Sequence, residues 1–172
     1  MEQIPKEVIE MAEDFFGYMS NEEHINLINE YSAKQVKLEI FFTESLKVID
    51  DKNVIAKCVK LYLIIYRCYQ YYDINLPQIG ADIVTEEMDK FMNRYDKRFG
   101  TKTTDKELCN EMKELTNQNE LVDYACLKIF GTDENPVKYN NPKLWYNVYS
   151  LIFCFIIIMN NETRKIIDKD LN

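Results

Sequence analysis

The feature that most constrains the fold is a stretch of eighteen residues without a formal charge, from Leu144 to Asn161. It contains an unbroken apolar run from Leu151 to Met159. As a helix the stretch would extend about 27 Å, marginally short of the roughly 30 Å hydrocarbon core of a bilayer. Polar residues near both ends shorten the usable apolar span further. Because a helix that is apolar on all sides belongs at the centre of a bundle, we predict a core helix and no membrane span.

Residues that form tight turns are scarce in the rest of the chain. Only four glycines and four prolines occur among 172 residues. An all-β domain needs many tight turns, which these residues form most readily, so the composition favours helices. With 47% hydrophobic residues, a chain of this length can bury one core without disulfides or metals. The sequence therefore predicts an all-α protein with a single domain over residues 1–172.

Helix-capping patterns divide this domain into seven or eight helices. Ser20 with Glu23, and Thr104 with Glu107, each match the capping box that opens a helix. Over residues 104–130 an apolar helical pattern is interrupted by a short polar segment, which leaves open one kinked helix or two. We predict a compact irregular bundle around the central apolar C-terminal helix.

The five cysteines show no spacing typical of a metal or redox site. They are Cys58, Cys68, Cys109, Cys126 and Cys154, an odd number without a Cys-x-x-Cys pair. This usage favours reduced, mostly buried thiols over a disulfide framework or a zinc site. The first residues also lack the basic start and apolar run of a secretory signal. We therefore expect a cytoplasmic protein.

Acidic side chains are concentrated at the start of the chain. The first thirty residues carry eight acids and one lysine, and because the whole chain has a net charge of −8, the remainder sums to about −1. Such a field repels nucleic acids and anionic membranes, and it speeds association with basic partners. The acids that we select as partner contacts lie on the first two predicted helices: Glu7, Glu10, Glu13, Asp14, Glu22 and Glu23.

Nucleic-acid binding is disfavoured by the overall charge, because contacts with phosphates dominate that kind of affinity. The one concentrated basic cluster consists of Arg94, Lys97 and Arg98. Three cations at the end of a helix more simply complement the helix dipole. We expect a protein partner with a basic surface and no nucleic acid.

Motifs for catalysis or cofactor binding are largely missing. His24 is the only histidine, which excludes metal sites built on several imidazoles, and we expect it to be a solvated surface residue. Glycine-rich phosphate loops and serine or cysteine nucleophile motifs are absent from the sequence. We predict no cofactor.

Paired carboxylates provide one alternative that involves catalysis. Glu111-x-x-Glu114 followed by Glu120-x-x-Asp123 resembles part of the Glu-rich signature of the all-α nucleotide pyrophosphohydrolases, in which two such helices face each other. The resemblance implies a Mg²⁺-dependent nucleotide hydrolase whose metal is held by these four carboxylates. It requires a sharp reversal of the chain over residues 117–119. Otherwise the same acids form a solvated helix face, paired with nearby lysines.

A cluster of tyrosines marks the fourth predicted helix. Five occur within eleven residues: Tyr62, Tyr66, Tyr69, Tyr71 and Tyr72. Aromatic residues at helical spacing usually pack, so we predict that they are half-buried at the edge of the core. A homo-oligomer joined through this helix is a further, structural hypothesis.

The overall character of the chain is that of a small, acidic, all-helical protein without a catalytic signature. In composition it resembles uncharacterised bacterial helical proteins, among them immunity proteins that neutralise a cognate toxin. The resemblance carries no motif and transfers no residue roles. It implies a non-enzymatic protein-binding module of the inhibitor or immunity type.

Overall fold

Eight helices make up most of the computed structural model, which describes residues 1–72, 76–95, 104–138 and 142–170. In chain order they are α1 (Lys6–Tyr18), α2 (Asn21–Lys34), α3 (Val36–Leu46), α4 (Lys52–Gln70), α5 (Ala81–Tyr95), α6 (Asp105–Thr116), α7 (Asn119–Phe130) and α8 (Pro142–Asp170). Over these ranges no strand is present, and an isolated bridge between Gly131 and Pro136 is the only β-type pairing. The prediction of a compact all-α bundle is confirmed.

The apolar helix α8 lies at the centre of the bundle. It contacts α3, α4, α5, α6 and α7, and its side chains at Phe153, Phe155 and Ile156 are fully buried. By length and composition Leu144–Lys169 could cross a membrane, but 67% of its most apolar window is buried inside the bundle. Packing on five neighbouring helices accounts for a sequence that is apolar on every side.

α8 is longer than the sequence pattern predicts. The charges from Glu162 onward suggest a separate short segment, whereas the structure shows one continuous helix of 29 residues. Neither glycine nor proline follows Pro142, so nothing in the backbone ends the helix at that point. The Glu162 carboxylate pairs with Lys165 at 2.6 Å, one turn further along the same helix.

Both predicted capping boxes are present. The Ser20 hydroxyl accepts a hydrogen bond from the backbone N–H of Glu23, and the Glu23 carboxylate accepts one from the Ser20 N–H at 2.7 Å. Thr104 and Glu107 make the same reciprocal pair at the start of α6. In both boxes the backbone hydrogen bond lowers the pKa of the glutamate, because it stabilises the ionised carboxylate.

Residues 104–130 form two helices, which resolves the alternative left open by the sequence. Asn117 separates α6 from α7 with a positive φ of 54°, and its N–H donates to the Lys113 carbonyl at 2.8 Å. Asparagine tolerates this left-handed conformation better than most residues. The next residue, Gln118, is buried and accepts a hydrogen bond from the Ile4 N–H at 2.7 Å, which fastens the start of the chain to the α6–α7 turn.

The expectation of five reduced cysteines is wrong for one pair. Cys109 on α6 and Cys126 on α7 form a disulfide bond, whereas Cys58, Cys68 and Cys154 are free and buried. The reversal at Asn117 places α6 and α7 side by side, so two cysteines that are seventeen residues apart come within bonding distance. One of the arguments for a reducing compartment is thereby lost, and the cytoplasmic location stays a prediction.

The inner faces of two peripheral helices also differ from the sequence pattern. On α2 the apolar spacing predicts that Ile25 and Ile28 face inward with Leu27 and Tyr31, but only the latter two are buried. On α3 the apolar spacing likewise predicts that Val36 and Ile40 face inward, but both are exposed. The buried residues of α3 are Leu38 and Phe42. Periodicity identifies an apolar stripe, but the position of the neighbouring helices decides which part of the stripe is covered.

The clustered tyrosines of α4 and of the turn that follows it are mostly core residues. Tyr62, Tyr66 and Tyr69 are buried, Tyr72 is half-buried, and Tyr71 alone of the five is exposed. Tyr62 stacks between two rings, with centroids 3.6 Å from Phe42 on α3 and 3.9 Å from Phe155 on α8. The prediction that this cluster packs is confirmed, and three of the five tyrosines are buried where half-buried side chains were expected.

The capping box of α6 gives a first testable prediction. Thr104→Ala removes the hydroxyl that accepts the Glu107 N–H, so we expect the free energy of unfolding to fall by about 1 kcal/mol. Thr43→Ala is the matched control, because Thr43 lies exposed within α3 and caps no helix. Its effect should stay within about 0.5 kcal/mol in urea unfolding measured by circular dichroism. Equal losses for the two variants would contradict the assigned cap.

The disulfide gives a second prediction. Because it closes a loop of seventeen residues, we expect reduction to lower the free energy of unfolding by about 3 kcal/mol. The double variant Cys109→Ser/Cys126→Ser should be insensitive to reductant. Thiol titration of the unreduced protein in denaturant should find the three free cysteines. A count of five thiols would show that the bond is not formed.

Candidate functional site

The six acids selected from the sequence lie on two helices at the edge of the bundle. α1 turns Val8, Ile9 and Ala12 inward, mainly against α4. This packing directs the opposite side of α1 to solvent. Glu7, Glu10, Asp14, Glu22 and Glu23 are exposed, and Glu13 is half-buried.

Three of these acids already have partners within the chain. Glu10 pairs with Lys6 at 3.3 Å, Glu13 pairs with Lys128 of α7 at 2.6 Å, and Glu23 belongs to the capping box. The other three have no ion pair or side-chain hydrogen bond within the described part of the chain: Glu7, Asp14 and Glu22. The free negative charge is thus smaller than the sequence suggests, and on α1 it is carried by Glu7 and Asp14.

Large apolar side chains lie among these acids. Met11 is 62% exposed, Phe15 is 47% exposed and Tyr18 is 88% exposed. The helical spacing of residues 7, 11, 14, 15 and 18 places the three apolar side chains on one side of α1 with Glu7 and Asp14. The apolar spacing of α1 taken alone predicts that Phe15 faces inward, and the structure corrects this prediction. Residues 7, 11, 14 and 18 have the spacing i, i+4, i+7 and i+11. This spacing is the signal that could have revealed that acidic and apolar side chains share one side of α1.

α4 completes this surface. Met11 and Phe15 line a shallow groove of about 340 Å³ together with Arg67 of α4 and Tyr71, the residue that follows α4. The Arg67 guanidinium carbon lies 5.1 Å from the centre of the Phe15 ring, a cation–π contact that holds the ring against α4. We call this surface the α1 face, and define it by seven residues: Glu7, Met11, Asp14, Phe15, Tyr18, Arg67 and Tyr71.

The composition of the α1 face is that of a protein interface. Phenylalanine, tyrosine, methionine and arginine are enriched in interface cores relative to the rest of a protein surface. Exposed apolar side chains that cluster and are bordered by charged groups mark interaction sites. The arrangement can therefore bind a partner through apolar contact, with Glu7 and Asp14 available for cations at its border.

His24 has a structural role that differs from the expected one. It is half-buried, its Nε2–H donates to the Phe16 carbonyl at 3.0 Å, and its ring lies 4.3 Å from that of Phe16. A carbonyl only accepts, so Nε2 must carry a proton. His24 therefore ties α2 to the end of α1 and is not a solvated surface residue.

The paired carboxylates of α6 and α7 do not converge. The reversal that the hydrolase hypothesis requires is present at Asn117, but Asp123 pairs with Lys113 at 2.5 Å and Glu111 lies 3.7 Å from Arg94. The other two acids of the pattern are exposed: Glu114 and Glu120. Within the four described ranges no group of three or more His, Cys, Asp or Glu side chains could hold a metal ion. Lys97 and Arg98 of the basic cluster lie outside the described residues.

The chain matches no protein-family model, no curated protein and no solved structure. Residue roles therefore rest on the chemistry of the protein's own surfaces.

Proposed function

We propose that this protein is a non-enzymatic protein-binding module of the inhibitor or immunity type, which engages a basic partner through the α1 face. The observation that carries the proposal is the exposure of Met11, Phe15 and Tyr18 beside two acids, Glu7 and Asp14, that have no partner among the described residues. Exposed aromatic and methionine side chains are the usual anchors of protein interfaces. A cytoplasmic location belongs to the same proposal.

The apolar and acidic residues would have different effects on binding. Phe15 is held in place by Arg67, so it loses little side-chain freedom when a partner covers it. Covered aromatic residues slow dissociation, whereas charges at the border of an interface mainly change the association rate. The partner would then present an apolar depression surrounded by lysine or arginine.

The intramolecular ion pairs refine the set of six acids selected from the sequence. Glu10 and Glu13 are partly neutralised by Lys6 and Lys128, and the Glu23 carboxylate is occupied by backbone and hydroxyl donors of Ser20. Glu7, Asp14 and Glu22 are exposed and have no such partner within the described residues. Electrostatic steering by this protein would therefore depend mostly on the latter three.

The test begins with the partner that co-purifies with the protein from its native host. Glu7→Gln/Asp14→Asn should lower the association rate constant severalfold at low salt, and the loss should shrink as salt screens the charges. Glu114→Gln/Glu120→Gln is the matched control, because it also removes two exposed acids and lies on α6 and α7. Surface plasmon resonance over a salt series measures both rates. Equal effects of the two pairs, or indifference to salt, would contradict steering by the α1 face.

A second pair of variants tests the apolar anchor. Phe15→Ala should raise the dissociation rate constant by about tenfold or more, as expected for an interface hot spot. Ile40→Ala on α3 is the control, because Ile40 is 46% exposed and lies on another helix. An unchanged dissociation rate for Phe15→Ala would place the interface elsewhere.

Sedimentation velocity on the isolated protein tests the homo-oligomer hypothesis directly.

A further inference from the structure

A second concavity lies between α4 and α7, with residues of α1 and α8 completing its wall. Its volume is about 300 Å³, at the lower end of the range typical of small-molecule sites. The side chains at its base are buried and apolar, and they include Leu61 and Ile64 of α4 and Ile129 of α7. The positions of Lys57, Leu61 and Ile64 on one side of α4 follow from helical spacing.

The opening of this cavity is basic. Lys57, Lys60 and Lys128 line it with a single acid, Glu13, so its local charge is +2 in a protein whose net charge is −8. Glu13 pairs with Lys128 at 2.6 Å. Lys57 and Lys60 are exposed, and within the described residues neither has a carboxylate at ion-pair distance. Two cations without a carboxylate partner in the described residues thus lie at the opening of an apolar cavity, and the Lys60 ammonium also lies 5.8 Å from the centre of the Phe16 ring.

The buried base of the cavity is formed by the carbon side chains of Leu61, Ile64 and Ile129, which offer a charged ligand no partner. The half-buried Tyr124 also lines the cavity, and its hydroxyl is hydrogen-bonded with Glu13. Cys58 lies at the base, and burial raises the pKa of its thiol to about 12, so the thiol is neutral at physiological pH. An anion placed at the base would lose its hydration without gaining a partner. A ligand can therefore place a charged group only at the opening of the cavity, and it can bury an apolar group only inside.

We propose that this cavity binds an amphipathic anion, with an alkyl or aryl group against Leu61, Ile64 and Ile129 and an anionic head group between Lys57 and Lys60. Burial of the alkyl or aryl group favours binding, and the head group accepts charge-assisted hydrogen bonds from two ammonium groups. A carboxylate and a phosphate ester share this chemistry. Polyanions are disfavoured because Glu13 lies on the same wall.

The site is independent of the proposed protein-binding function. Of the residues that define the α1 face, none lines this cavity. Loss of ligand binding and loss of partner binding can therefore be caused by separate substitutions. The test below needs no protein partner.

The experiment is calorimetric titration of the intact protein with decanoate below its micelle concentration. We expect one molecule bound per chain, and affinity at least about tenfold weaker in Lys57→Gln/Lys60→Gln, because charged hydrogen bonds are lost. Lys37→Gln/Lys52→Gln is the matched control, since it removes two exposed lysines that do not line the cavity. Decanol, which has the same chain and no charge, should bind at least about tenfold more weakly than decanoate.

Two further variants separate this site from unspecific adsorption. Glu13→Gln releases Lys128 from its ion pair, so decanoate should bind more tightly. Leu127→Trp enlarges an exposed side chain at the opening and should weaken binding, with circular dichroism and thermal melting confirming the fold. Decyl phosphate in place of decanoate shows which head group is preferred.

Three results would each overturn the proposal. They are no binding of decanoate or decyl phosphate by the wild-type protein, equal affinity for decanoate and decanol, and equal losses in the Lys57/Lys60 variant and its control. We predict that Glu13→Gln binds decanoate most tightly and that Lys57→Gln/Lys60→Gln binds it most weakly. This order of affinities requires both the apolar base and the basic opening of the cavity.

Discussion

Burial of α8 is the interaction on which the rest of the structure depends. A helix that is apolar around its whole circumference gains most when it is covered on every side, and each large side chain removed from water contributes roughly 1.5–3 kcal/mol. α4 supplies much of the cover: Tyr62 stacks on Phe155, and the Tyr69 hydroxyl donates to the Ile156 carbonyl at 3.3 Å. That carbonyl belongs to α8 itself, so the two helices are joined by packing and by a buried hydrogen bond.

Because α8 is committed to the core, the surfaces available for binding lie on the peripheral helices and on the outer side of α4. α1 needs only one apolar side to pack on α4, which leaves Met11, Phe15 and Tyr18 exposed. The cavity of the amphipathic anion has a related origin. α4 and α7 contact each other less closely than α4 contacts α8, and the space between them is only partly filled by side chains. Both candidate surfaces thus follow from how the core is covered.

Local sequence signals predicted local structure well. Ser20 and Thr104 cap helices as expected, because a capping box involves side chains only three residues apart. The inner faces of α2 and α3 were predicted less well, since Ile25 and Ile40 belong to apolar stripes that are wider than the surface covering them. The Cys109–Cys126 bond could not be read from spacing, because it depends on the reversal at Asn117 and on how two helices lie side by side.

The sequence by itself determined the all-α class and the central position of the apolar helix, because turn-forming residues are scarce and a helix that is apolar on all sides packs best at the centre of a bundle. Only the tertiary structure decided which charges are free. Glu13 and Lys128 are 115 residues apart and pair because α1 packs beside α7, whereas Asp14, the next residue after Glu13, remains exposed. Net charge is a sum over the sequence, but the field that a partner or ligand meets depends on which charges the fold brings together.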